Sequence, residues 1–108
     1  MTLEELRSHV DELDRQLGAL LNERARTAKQ IGQLKAASSM QVYVPGREKL
    51  VRENLRAANH GPLPDAELLH IYERILDVMR ALQRNELASQ KNAQAGQPAD
   101  APSSGTGN

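Results

Sequence analysis

The 108-residue sequence predicts an all-α protein of three helices, at about residues 3–36, 46–59 and 64–90. Its aromatic residues are two tyrosines, so the core must consist of Leu, Ile, Val, Ala and Met, which suits helix packing better than a sheet. Apolar residues recur at alternating steps of three and four, the spacing of one helix face. The first proline is Pro45, so nothing breaks a long first helix.

The first predicted helix is marked at its start and along one face. Thr2 followed by Glu5 is a capping-box pattern, which places the first helical residue at about position 3. The apolar face comprises Leu3, Leu6, Val10, Leu13, Leu17 and Leu20, and it resumes with Ile31 and Leu34. At ~1.5 Å per residue this helix is roughly 50 Å long, whereas a compact domain of this size is about 30–35 Å across. Its protruding face needs another molecule, so we expect an intertwined antiparallel homodimer built on this helix.

The second and third helices are set off by proline and glycine. Pro45 is typical of a first helical turn, and Gly61 is typical of the stop that follows a helix. Pro64 and Asp65 open the third helix, which we expect to fade near residue 90. Residues 1–90 then form one helical domain, and residues 91–108, rich in Gly, Pro and Ser, form a disordered polar tail.

Arg24 lies on the first helix where the apolar face should continue. The simplest explanation is that a buried Arg pairs with an acid in a dimer interface. Lys35, however, follows three turns later and points the same way, with the small or apolar Thr27, Ala28 and Ile31 between them. Two long cations that bracket a modest hollow favour a site for an anion.

Other polar residues have both a structural and a functional interpretation. Arg7 is roughly 25 Å from Arg24 along the helix, so it is a solvated surface charge unless an antiparallel partner brings it to the site. Glu48, next to Arg47, is either a first-turn charge or an acceptor for a ligand hydroxyl. Gln83 is either a surface amide or a ligand contact on the third helix.

Composition and spacing argue against several classes of protein. Lys and Arg balance Asp and Glu at 14 each, with a pI of 6.8, so no broad positive surface attracts nucleic acid. There is no Cys, and His9, His60 and His70 lack the spacing of metal ligands, so we expect no metal site. No signal peptide or membrane span is evident at the start, which favours the cytoplasm.

Three segments together resemble the all-helical chorismate mutase family, the AroQ class: "LEELRSHVDELDRQLGALLNERARTAKQIGQLK", "VYVPGREKLV" and "GPLPDAELLHIYERILDVMRALQ". The resemblance covers residues 3 to about 86. It implies conversion of chorismate to prephenate, a Claisen rearrangement without cofactor or covalent intermediate. It also implies a homodimer and, because the segments resemble mutase domains fused to other shikimate-pathway enzymes, association with such an enzyme.

The resemblance also implies roles for individual residues. Arg24 and Arg7 of the partner chain would hold the two carboxylates of the substrate, with support from Arg47. Lys35 and Gln83 would donate hydrogen bonds to the ether oxygen, where negative charge grows. Glu48 would accept a hydrogen bond from the ring hydroxyl.

Two positions of the substrate-binding set depart from the usual family pattern. Val44 stands where an Asp is common, and Met79 stands where a Ser is common. A contact through the backbone N–H of Val44 would survive the change, whereas a Ser hydroxyl is lost at Met79. The lost hydrogen bond is worth on the order of 1 kcal/mol, a few-fold in rate.

Two alternatives stay open at the level of sequence. Isochorismate-pyruvate lyase has the same fold and a similar cationic pocket, which Arg24 and Lys35 do not distinguish from a mutase. A non-catalytic helical dimerisation or regulatory module would explain the leucines, but it leaves two inner-face cations without a partner. A helix-turn-helix for DNA binding fits less well, since the helices are too long and continuous.

Overall fold

The computed structural model describes residues 1–95, which form three helices and no strand within that range. They are α1 (Leu3–Ala37), α2 (Pro45–Ala58) and α3 (Asp65–Ala95). The all-α prediction is confirmed, and the starts of the helices agree within one residue. The predicted end of the third helix is wrong, because α3 continues to Ala95, so residues 91–95 of the predicted tail are helical. Residues 96–108, the rest of that tail, lie outside the described residues.

Caps explain where the helices begin and end. At the start of α1, the Glu5 amide donates to Thr2 Oγ1 at 3.1 Å, and the Thr2 amide donates to Glu5 Oε1 at 2.8 Å. The hydrogen bond from the Thr2 amide, with a smaller contribution from the Thr2 side chain, lowers the pKa of the Glu5 carboxyl group. Pro45 is the first residue of α2, where its missing N–H costs nothing. After α2, the side-chain amide of Asn59 donates to the Leu63 carbonyl and the Asp65 carboxylate, and so orders the loop to α3.

The helix α3 packs against both α1 and α2. The two helices approach closely at Gly32, where an added Cβ would lie 2.9 Å from the Cα of Gln83. Small residues at this contact let the two backbones come together. Because the functional side chains lie on these helices, the spacing of the backbones fixes the width of the site.

One chain encloses very little apolar surface. Within residues 1–92 the buried apolar side chains are those of Ala28, Leu76 and Met79. The leucine face of α1 is exposed: Leu3, Leu6, Val10, Leu13, Leu17 and Leu20. The radius of gyration is 18.5 Å, compared with about 13 Å for a compact domain of this length. A single chain therefore leaves the first half of α1 uncovered.

No helix in the described part of the chain combines the length and apolar character needed to cross a bilayer.

Candidate active site

A cavity of about 460 Å³ lies between the second half of α1, the start of α2 and the middle of α3. It is lined by seven of the eight residues predicted from the sequence: Arg24, Lys35, Val44, Arg47, Glu48, Met79 and Gln83. Thr27, Ala28 and Ile31, the residues expected to leave a hollow between the two cations, line it as well. The eighth predicted residue, Arg7, does not line this cavity, and it lies roughly 25 Å from Arg24 along α1.

Lys35 and Gln83 meet across the interface of α1 and α3. The Lys35 ammonium donates to Gln83 Oε1 at 3.0 Å and to the Val42 carbonyl at 2.8 Å. An ammonium has three N–H donors, so one remains for a ligand in the cavity. Because the oxygen of Gln83 accepts from Lys35, its NH₂ group is also left to donate. The pair thus offers two neighbouring donors from different helices.

Arg24 is held by Tyr72 of α3. The Arg24 Nε donates to the Tyr72 hydroxyl at 3.2 Å, and the guanidinium carbon lies 5.5 Å from the centre of the tyrosine ring. The hydrogen bond uses Nε, so the two terminal amino groups of Arg24 have no protein partner within residues 1–95. These groups form the flat edge that binds a carboxylate through two parallel hydrogen bonds.

Glu48 is the carboxylate that lines the cavity, and it is paired with Arg80 of α3. The Arg80 guanidinium also contacts Asp77 and lies over the ring of Tyr43, 5.5 Å from its centre. The hydrogen bond that Arg80 donates to Glu48, together with the nearby charges of Glu48 and Asp77, raises the pKa of Arg80 against the effect of its desolvation. The sequence predicted Glu48 as a site residue without this partner.

The two departures from the family pattern occupy different environments. Met79 is buried, with 5% of its surface exposed, and forms part of the cavity floor. Val44 precedes α2, and its carbonyl accepts from the amides of Arg47 and Glu48 at 3.1 Å each. Within the described residues no side chain caps the first turn of α2. The apolar side chain of Val44 therefore leaves this helix start without the bond that an Asp could make.

Sequence reasoning missed Arg80 and Tyr72 as site residues. Both share the inner face of α3 with Leu76, Met79 and Gln83, at steps of three and four. Both occur in the segment "GPLPDAELLHIYERILDVMRALQ", but the resemblance assigns a role to neither. The periodicity placed both residues on the correct face, but only their partners on other helices reveal what they do.

The cavity is strongly positive although the chain is neutral. It is lined by four cations (Arg24, Lys35, Arg47 and Arg80) and by one carboxylate (Glu48), a formal charge of +4 − 1 = +3. Cations that converge in a partly enclosed space suit a small ligand with two negative charges. Residues 1–95 contain no group of three or more His, Cys, Asp or Glu side chains placed to hold a metal ion.

Comparison with known proteins relates this chain to chorismate mutases. The family model described as chorismate mutase type II matches residues 6–84. The chain is 36% identical over 86 residues to a bifunctional chorismate mutase/prephenate dehydratase of Aquifex aeolicus, covering 76% of this chain and 24% of that protein. It is also 36% identical over 87 residues to the bifunctional enzyme of Neisseria gonorrhoeae, covering 77% and 24%. The chain thus spans about a quarter of the length of the curated relatives it matches.

A solved structure shows the same fold. The chain superposes on a chorismate mutase (form II) from Thermus thermophilus with a TM-score of 0.75 and 32% sequence identity. The match covers 76% of this chain and 93% of that one.

Proposed function

Because this chain belongs to the chorismate mutase type II family, we propose that it catalyses the rearrangement of chorismate to prephenate in aromatic amino-acid biosynthesis. The observation that carries the proposal is the Lys35–Gln83 pair in a cavity of net positive charge that Arg24 also lines. Together these groups provide two donors for one oxygen and a flat cationic edge for a carboxylate.

The proposed reaction needs no nucleophile, proton carrier or redox partner. In a Claisen rearrangement the ether C–O bond of chorismate breaks while a new C–C bond forms, and the electrons move around a six-membered ring. No atom enters or leaves. The catalyst must hold a flexible dianion in the folded conformation and stabilise negative charge on the ether oxygen as the bond breaks.

The cavity has a group for each of these tasks. Arg24 would bind one carboxylate through its free edge, with Arg47 supporting the carboxylate side. The remaining N–H of Lys35 and the NH₂ group of Gln83 would both donate to the ether oxygen. These donors are already oriented by the Lys35–Gln83 hydrogen bond, so little reorganisation is needed when charge develops. Glu48 would accept from the ring hydroxyl.

The second carboxylate would be bound by Arg7 of a partner chain in a homodimer. The exposed leucine face of α1 and the large radius of gyration support this, since a single chain leaves that face in water. An antiparallel pairing of two α1 helices would bring the first turns of one chain to the middle of the other. Arg7 would thereby reach the cavity of the partner chain, since it lies too far from the cavity of its own chain.

The relatives' names suggest a use for the product. In the bifunctional proteins the mutase is joined to a prephenate dehydratase, which by its name acts on prephenate. We extend the proposal to association of this protein with another shikimate-pathway enzyme that consumes its product.

The test is incubation of the purified protein with chorismate, following the loss of its ultraviolet absorbance and identifying the product. We expect prephenate. Arg24→Ala and Lys35→Ala should each lower kcat/KM by about 10²-fold or more while the helical content stays unchanged. Matched controls are Arg26→Ala and Lys29→Ala, which remove a cation from exposed positions of the same helix.

Each other outcome of this test has a defined meaning. Release of pyruvate from isochorismate, without turnover of chorismate, would assign the cavity to the lyase reaction. Inertness toward both compounds would leave a helical dimerisation module. Equal activity of Lys35→Ala and Lys29→Ala would remove the role assigned to the cavity.

A further inference from the structure

Arg80 is the cavity-lining cation that the proposed reaction does not use. Its side chain is 21% exposed, and it joins three parts of the protein. One terminal amino group pairs with Glu48 of α2, and the other pairs with Asp77 of α3. Its flat face covers the ring of Tyr43 in the loop between α1 and α2.

The contacts of Arg80 leave it poorly placed to bind substrate itself. Both of its terminal amino groups already face a carboxylate. A guanidinium has five N–H donors in a rigid plane, and here that plane is directed at Glu48 and Asp77. The residue that Arg80 contacts inside the cavity is Glu48, whose side chain is only 12% exposed.

Because of Arg80, the two carboxylate oxygens of Glu48 have different contacts. Oε2 accepts from Arg80, while Oε1 lies 4.0 Å from the Arg52 guanidinium, beyond hydrogen-bonding distance. A carboxylate held at one oxygen keeps the other in a fixed direction. Oε1 accepts no hydrogen bond within the described residues, so it is the oxygen left for a ligand hydroxyl.

We propose that Arg80 is a positioning residue that acts through Glu48: it fixes the carboxylate so that Oε1 faces the ring hydroxyl of the substrate, and it holds the start of α2 and the Tyr43 loop against α3. This inference rests on the proposed function. A misplaced hydrogen-bond acceptor changes the rate more than the affinity, because the geometry of the folded substrate matters most in the transition state.

The experiment is a double-mutant cycle on kcat and KM for chorismate, with the variants Arg80→Met, Glu48→Gln and the two combined. Arg80→Met should lower kcat about 10-fold and change KM less than about 3-fold. In the Glu48→Gln background the same change should alter kcat less than about 2-fold, because Arg80 then has no carboxylate to orient. Equal effects in both backgrounds would overturn the inference, as would a folded Arg80→Met with wild-type kcat.

Arg52→Met is the matched control, since it removes the same charge from the other side of the same carboxylate. Arg52 lies on α2, is 37% exposed and does not line the cavity. We expect its kcat within about 2-fold of the wild type. If Arg52→Met and Arg80→Met lower kcat equally, the effect is one of general charge, and positioning is excluded.

Two further comparisons keep the test decisive. If circular dichroism shows that Arg80→Met does not fold, the cycle is run with Arg80→Lys, which keeps the charge but loses the planar fork. We then expect kcat to fall several-fold in the wild-type background and to stay unchanged in the Glu48→Gln background. Wild-type turnover of chorismate with an unaffected Arg80 variant overturns this inference alone. A wild type without turnover overturns the proposed function and this inference with it.

Discussion

Arg24 shows how a charged residue can occupy the inner face of a helix. Its Nε donates to the Tyr72 hydroxyl, and its guanidinium lies over the aromatic ring, so the protein replaces part of the water that the cation loses. The remaining two amino groups make no hydrogen bond to the described residues, and Arg24 lines the cavity. The same contacts that make burial of this cation tolerable also set its direction. Tyr72 is thus the residue that aims Arg24.

At this scale we predict that Tyr72→Phe weakens substrate binding. The change removes the hydroxyl that accepts from Arg24 but keeps the ring, so a hydrogen bond worth about 1 kcal/mol is lost. We expect KM for chorismate to rise about 5-fold with kcat nearly unchanged. Tyr43→Phe is the control, because that ring contacts Arg80 through its face and makes no described hydrogen bond through its hydroxyl. Equal KM values for the two variants would contradict the role of Tyr72.

At the scale of secondary-structure elements, the contact of α1 with α3 depends on a single glycine. A Cβ at Gly32 would lie 2.9 Å from Gln83 Cα and 3.2 Å from the Gln83 carbonyl oxygen, both backbone atoms that cannot turn aside. The Lys35–Gln83 pair lies beside this contact. The width of the gap between the helices therefore controls the distance between the two donors.

We predict that Gly32→Ala lowers both stability and activity. The helices must separate by several tenths of an ångström, which costs about 1–3 kcal/mol of packing and moves Gln83 away from Lys35. The melting temperature should fall, and kcat should fall about 10-fold or more. Gly46→Ala is the control, since a Cβ there meets no described atom within 4 Å. A Gly32→Ala variant with wild-type kcat would show that the spacing is not critical.

At the start of α2, we predict a substitution that raises stability. No described side chain caps its first turn, and the residue in the cap position is Val44. Val44→Asn should supply an oxygen for the free amides and raise stability by about 0.5–2 kcal/mol. Thermal unfolding measures this effect, and Val44→Ala, which cannot cap the helix, is the control. The prediction fails if Val44→Asn melts no higher than Val44→Ala.

At the scale of the whole molecule, the proposed site is incomplete in one chain. Four cations line the cavity, but Arg7 lies some 25 Å away on the exposed half of α1. An apolar face of this length is costly in water, so its exposure in a single chain is the physical argument for a second copy. The proposed dimer would cover that face and complete the site in the same step.

Subunit mixing tests this arrangement. We expect Arg7→Ala and Arg24→Ala to be nearly inactive as homodimers. In a mixed dimer, one site combines the intact Arg24 of one chain with the intact Arg7 of the other, and the second site lacks both. Random exchange makes half of the dimers mixed, so about a quarter of wild-type activity should return. Mixtures of each variant with itself are the controls, and no recovery after confirmed exchange would contradict a shared site.

The resemblance to helical chorismate mutases, drawn from sequence motifs, is confirmed by the family match and by the related fold. The assignment of roles to individual residues stays a prediction. Sequence motifs point to residues such as Glu48 and Gln83 only through the resemblance to the family. They give no account of Arg80, whose partners lie on other elements.

The sequence by itself determined the three helices, the starts of all three within one residue, and the face on which each candidate residue lies. These features depend on neighbours within about four positions, so periodicity and capping patterns encode them directly. Only the tertiary structure decided which side chains pair: Arg24 with Tyr72 and Lys35 with Gln83, each 48 positions apart, and Glu48 with Arg80, 32 apart. Such pairs depend on how closely α3 approaches the other two helices, and that distance is set by the packing of the whole chain.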